Sequence, residues 1–152
     1  GVELTHLPAA VIPDVAKQAK EMGAQLVVVH GETIVEPVEP GTNIAAVRSP
    51  HVDILAHPGL LSKEEASIDK ENNVFIEISA RKGHSLTNGH VVKVAGGVGA
   101  KLLLGSDAHD EGDLLSEDMV IAVLRGSGLD ESAIEEVLQT NPNLLMDKLQ
   151  KK

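Results

Sequence analysis

The sequence predicts an α/β fold of about five parallel strands alternating with helices, and three observations predict it. Short apolar runs recur roughly twenty residues apart, the spacing of βαβ units. Those runs are nearly continuous in Val, Leu, Ile and Ala rather than alternating with polar residues, as expected of a parallel sheet covered on both faces or of a barrel. Helix-start and helix-stop residues lie between them. With 152 residues and no internal linker, the chain reads as a single domain over residues 1–152.

The elements follow in order. Val2-Glu3-Leu4-Thr5-His6 reads as a first strand, stopped by Leu7-Pro8. Pro13 suits the first turn of a helix that runs to Met22, and Gly23 sits where a C-cap belongs. Gln25 to His30 is a second strand. Gly31 to Gly41 has no hydrophobic period and carries Pro37 and Pro40, so it reads as a loop of functional length. Thr42 to Val47 is a brief helix, and Val52 to Ala56 a third strand ending at His57-Pro58-Gly59. Ser62 and Glu65 have the spacing of a capping box, for a helix to about Glu71. Val74 to Ile78 is the fourth strand, Ser79 to Asn88 a polar loop, and Val91 to Val98 a helix containing Gly96-Gly97. Lys101 to Leu104 is the fifth strand. Helices are expected at Glu117 to Arg125, Glu131 to Leu138 and Pro142 to Leu149.

Composition narrows the function. Phe75 is the only residue among Phe, Trp and Tyr, which argues against aromatic stacking surfaces for bases or sugars. The net charge of −10 opposes nucleic acid and anionic membranes as default partners. Without cysteine there are no disulfides and no thiolate metal sites, so any metal must be held by His and carboxylate. No apolar run approaches membrane-spanning length, which makes a cytoplasmic setting the expectation.

The polar residues at the strand ends carry the chemistry. Glu3 lies in the first strand, His30 ends the second, His57 ends the third, Glu77 lies near the end of the fourth, and Asp107 and His109 follow the fifth. In a parallel sheet these ends share one face, so residues distant in sequence converge there. If the extended geometry continues past Gly105, Asp107 and His109 project to the same side. Three histidines with two or three carboxylates suit Zn²⁺, Mn²⁺ or Fe²⁺, and paired ions are common machinery for phosphate ester hydrolysis. A carboxylate inside a buried strand, as at Glu77, needs a partner or a metal, and can also orient a ligand histidine. Arg81, Lys82 and His84, in the loop after the fourth strand, are candidates to bind a substrate phosphate. His51 precedes its strand and reads as structural. His6 lies near the rim and His90 on an exposed helix face. Glu36 and Glu39 read as solvated charge, while Glu32 is within reach of the rim.

Taken together, Gly1-Val2-Glu3, Val29-His30-Gly31, Ala56-His57-Pro58-Gly59, Glu77-Ile78-Ser79 with Arg81-Lys82-Gly83, and Gly105-Ser106-Asp107-Ala108-His109 resemble the PHP (polymerase and histidinol phosphatase) family. The resemblance implies an incomplete (β/α)7 TIM-like barrel with a cluster of divalent ions, two or three when complete. It implies a metal-dependent phosphoesterase, histidinol-phosphatase-like, acting on a small phosphorylated substrate. By motif position Glu3, His30, His57, Asp107 and His109 match the family's metal ligands, and Arg81 a position that can approach the substrate phosphate; Asp107, His109 and Arg81 are the candidate catalytic residues. The family's opening His-x-His strand has no counterpart here. Missing N-terminal strands, or another copy of the chain, are therefore expected to complete the barrel. The alternative from a different class is a catalytically inactive barrel subunit that binds a partner within a larger assembly.

Overall fold

The computed structural model describes residues 1–150. Its centre is a five-stranded, wholly parallel sheet with strands in sequence order: β1 (Val2–Leu4), β2 (Val27–His30), β3 (Ile54–Ala56), β4 (Phe75–Ser79) and β5 (Leu102–Gly105). The order never reverses, so the sheet grows in one direction and has no switch point between strands. Helices α1 (Ile12–Glu21), α2 (Thr42–Arg48), α3 (Lys63–Asn72) and α4 (Asn88–Val98) are the crossovers, each packing on the next.

Local sequence explains the helix ends. Pro13 occupies the first turn of α1, where its missing N–H costs nothing. Ser62 and Glu65 form the reciprocal capping box that opens α3, and Asn73 closes that helix in the left-handed region at φ 56°. Three further helices follow β5: α5 (Glu117–Gly126), α6 (Glu131–Glu135) and α7 (Asn141–Gln150). The last two were expected to be separate, but a π-helical stretch at Glu136–Thr140 joins them. Pro142 explains it. Proline cannot donate to the carbonyl four residues back, and a widened turn ahead of it absorbs the mismatch.

The two faces of the sheet differ. Leu4, Val27, Val29, Leu55, Ile76, Ile78 and Leu102 pack with Ile12, Ala16, Ala46, Val47, Ala66, Val91 and Leu124 in one aliphatic core under the helices. On the other face Glu3, Val28, Ile54, Ala56, Glu77 and Leu103 line a cavity of about 430 Å³, together with Pro142, Leu145 and Met146 of α7. This last helix crosses the starts of the strands. Asn141 Nδ2 donates to Leu102 O at 2.9 Å. Lys148 Nζ donates to Asn73 O at 2.9 Å and lies 3.1 Å from Asp53 Oδ1. Lys20 pairs with the other Asp53 oxygen, which also accepts the N–H of Val27 at 2.9 Å. Burial opposes the charge on Asp53, but these donors outweigh it and hold its carboxyl below the usual carboxylate range. Among the described residues, no helix is long and apolar enough to cross a membrane.

Candidate metal centre

The opposite end of the sheet, where the strands finish, carries a cluster of imidazoles and carboxylates. His30 is the last residue of β2 and His57 follows β3 directly. Their rings meet edge to face, with centroids 4.3 Å apart. His84 opens a short 3₁₀ turn (His84–Thr87) beyond β4 and stacks on His57, also at 4.3 Å. All three histidines are buried, and one ring nitrogen of each lies within 4.8 Å of the other two. Such a set can hold a metal ion.

Hydrogen bonds fix the ring orientations. His30 Nδ1 lies 3.0 Å from Gly31 O. A carbonyl only accepts, so Nδ1 carries the proton and Nε2 of the neutral ring carries the lone pair. That Nε2 is buried and has no hydrogen-bond partner among the described residues, nor has His57 Nδ1. Buried polar atoms without partners are costly in a finished structure, and a divalent cation is the group that matches two imidazole nitrogens and nearby carboxylates. His109 Nδ1 likewise donates to Asp107 O, at 2.8 Å. Burial and the neighbouring His30 and His84 rings push His57 down to about 3, and burial also pushes His84 down. Both shifts favour the neutral ring, the form that coordinates metal.

The carboxylates sit among them. Glu77 is buried in β4, and its Oε2 accepts the backbone N–H of His57 at 2.9 Å. Burial raises its carboxyl to about 8, with Asp107 and Glu3 adding to the effect. Asp107 Oδ2 lies 3.6 Å from His84 Nε2 and 3.3 Å from Arg81 Nε. Arg81 also donates to Asp107 O at 2.9 Å and to Asp113 Oδ2 at 3.1 Å. Glu3 projects from β1 onto the same open face, beside His57 and Asp107. With Thr5, His6, His30, Glu36, Asp107 and His109 it also lines a smaller hollow.

The expected positions of several residues need correcting. The chain does not stay extended after β5. Asp107 turns into the left-handed region at φ 48°, and it is this turn, rather than strand alternation, that brings His109 back toward it. His84, expected in an open loop with Arg81 and Lys82, is buried in the histidine cluster, whereas the Lys82 side chain is exposed. Glu32 does not enter the site: its Oε1 accepts the N–H groups of Gly41 and Asn43 at the start of α2. Glu36, read from sequence as solvated charge, lies with Oε2 at 3.6 Å from His30 Nε2 and 3.8 Å from His84 Nε2. Its only sequence signal is the Pro37 beside it, which restricts the loop.

Fold and rim define a parallel α/β protein with a histidine–carboxylate cluster at the C-terminal ends of its strands. The chain belongs to the family of the uncharacterized protein MJ1295 of Methanocaldococcus jannaschii: the two are 48% identical over 149 residues, 98% of this chain and 68% of that protein. Two proteins named probable phosphatase, from Thermoanaerobacter sp. and Thermoanaerobacter pseudethanolicus, are each 31% identical over 120 residues. Those alignments take in 72% of this chain and 48% of each phosphatase, so the chain spans about half the length of these relatives. A chain in the cryo-EM structure of archaeal Ribonuclease P with mature tRNA has the same fold, with a TM-score of 0.79 over 99% of this chain and 68% of that one at 17% identity. No family model matches the sequence.

Proposed function

We propose that the chain forms the wall of an incomplete (β/α)7 barrel of PHP type and serves metal-dependent hydrolysis of phosphate esters, in the manner of a histidinol-phosphatase-like enzyme. The observation that carries this reading is the pair of buried, unpartnered nitrogens on His30 and His57, set beside His84 and Asp107 at the strand ends. The relatives named probable phosphatase support the phosphoester chemistry. In this reading Glu3, His30, His57, Asp107 and His109 hold divalent ions, Zn²⁺, Mn²⁺ or Fe²⁺. A bound ion supplies Lewis-acid polarisation of a phosphoryl oxygen and a nucleophile at neutral pH.

The remaining residues prepare that chemistry. Glu77 fixes the backbone of His57 and so the direction of its ring. Arg81 holds its guanidinium at the rim between Asp107 and Asp113, where it can meet a phosphate bidentately once a substrate displaces part of that contact. Lys82 adds an exposed charge beside it. The substrate is a small phosphorylated molecule, and the ligands come from β1 to β5, so one ion does not require residues outside this chain.

The test is the metal content and phosphomonoester hydrolysis of the full chain, beside His57→Ala and Asp107→Asn. Loss of bound metal and of hydrolysis in both variants supports the reading. Unchanged metal and rate in both overturn it. The second reading, a barrel subunit that binds a partner in a larger assembly, draws on the shared fold with a chain of archaeal Ribonuclease P. A chain that binds no metal but binds RNA with a steep salt dependence would place that reading first.

A further inference from the structure

We propose that Glu36 and His84, two loop residues outside the strand-end motif, are direct ligands of one ion at this rim. They would form a four-donor site with His30 and Asp107. The inference rests on the metal-centre reading above and adds two ligands to it. Four donor atoms follow one another in close pairs here: His30 Nε2, Glu36 Oε2, His84 Nε2 and Asp107 Oδ2. The separations are 3.6 Å for His30 to Glu36, 3.8 Å for His84 to Glu36 and 3.6 Å for His84 to Asp107. These lie beyond hydrogen-bond length. They are close to the edge of a tetrahedron, about 3.3 Å, drawn by donors about 2.0–2.1 Å from an ion.

The surroundings aim the donors. His84 Nδ1 lies 2.7 Å from Thr33 Oγ1, which leaves Nε2 turned toward Glu36 and Asp107. His30 Nδ1 is committed to Gly31 O, so its lone pair also faces inward from a ring only 6% exposed. The loop bearing Glu36 rests on the loop bearing His84: a Cβ on Gly83 would come within 3.1 Å of Val35 Cγ2. Thr33 and Val35 thus bracket the approach of Glu36 to the histidines. The Glu36 side chain itself stays 51% exposed and closes the site from the solvent side. Arg81 meets one of the four donors, Asp107 Oδ2, at 3.3 Å and is shared with Asp113, so an ion would take that oxygen in competition with the guanidinium.

The experiment is titration of chelator-treated full chain with Co²⁺, read by visible absorption for coordination number and by calorimetry for affinity. The variants are Glu36→Gln, His84→Asn and His30→Ala, each checked by its melting curve. Four-coordinate absorption in the parent chain is expected. Glu36→Gln should weaken the ion about ten-fold or more and change the spectrum. His84→Asn should do the same if it folds, and because Glu36 is half exposed, Glu36→Gln carries the test alone if it does not. Metal binding that is lost in His30→Ala but unchanged in affinity and spectrum in Glu36→Gln overturns this inference and leaves the metal-centre reading standing. No binding by the parent chain overturns both.

Discussion

The carboxylate of Glu77 accepts the main-chain N–H of His57 at 2.9 Å, linking the middle of one strand to the end of its neighbour. His57 has a positive φ of 29°, a conformation a side-chain-bearing residue holds only when its surroundings impose it. Glu77 is one of those surroundings. Glu77→Leu should cost about 1–3 kcal/mol, the penalty of leaving a buried N–H unpaired. Glu77→Gln, which keeps an oxygen at that place, should cost less. Urea denaturation of the two variants side by side checks the ranking.

Gly105 makes room for that same carboxylate. A Cβ there would lie 1.8 Å from Glu77 Oε1 and 2.7 Å from its Cδ. Gly105→Ala must therefore push Glu77 off His57, because the carboxylate is buried and has little freedom to move aside. The expected result is a loss of about 1–3 kcal/mol in stability, with metal affinity falling along with it. A variant that binds metal as tightly as the parent would show that the contact does not orient His57.

Asp69 supplies a pH dependence far from the rim. It is fully buried in α3, neither carboxylate oxygen has a hydrogen-bond partner among the described residues, and burial raises it to about 8. A carboxyl with a raised folded-state pKa binds its proton more tightly folded than unfolded. Its contribution is intact below about pH 4 and is lost as pH rises toward 8. Stability of the parent should fall over that range, and Asp69→Asn should remove this component of the fall. At pH 9 the variant should be the more stable by about 2 kcal/mol or more. Denaturation midpoints at pH 5, 7 and 9 measure it.

Asp53 works in the other direction. Its carboxyl is held low by Lys20, Val27 N–H and Lys148, so its contribution is present above about pH 4 and disappears as pH falls through its folded value. Asp53→Asn leaves two partly buried lysines facing an amide, and should cost about 3–5 kcal/mol. Metal affinity of the folded variant should not change, since Asp53 lies before β3 and the histidines lie at or beyond the ends of their strands.

Arg81 separates charge from geometry. Arg81→Lys keeps the positive charge but not the planar fork, and Arg81→Ala removes both. If a phosphate binds at the rim, inhibition by inorganic phosphate should weaken about ten-fold in Arg81→Ala, with Arg81→Lys recovering only part of it. The inhibition constants of the three proteins give the answer directly.

The sequence makes the strand ends legible and the loops much less so. Strand positions follow from apolar runs that no surface element would carry, and the Ser62–Glu65 box is a local signal that needs no tertiary partner. His30 and His57 could be placed at one end of the sheet because a strand end is fixed by the strand. The loop after β4 puts His84 at that end as well, but its entry into the cluster could not be read, nor could that of Glu36. The side chain of His84 is set by Thr33, 51 residues away, and that of Glu36 by how one loop settles on another. Such contacts leave no period in the sequence. The turn at Asp107 was hidden for a related reason: a positive φ at a non-glycine residue is imposed by packing, and neither Ser106 nor Ala108 announces it.

The last helix has a consequence for how this protein can change. Asn141 and Lys148 reach Leu102, Asn73 and Asp53, all at the end of the sheet where the strands begin. Anchorage is thereby concentrated at one end and the imidazoles at the other, with the lengths of five strands between them. Substitutions at these anchors can tune heat tolerance without touching a donor atom. Substitutions that retune the rim leave those anchors in place. The two ends can diverge at their own pace.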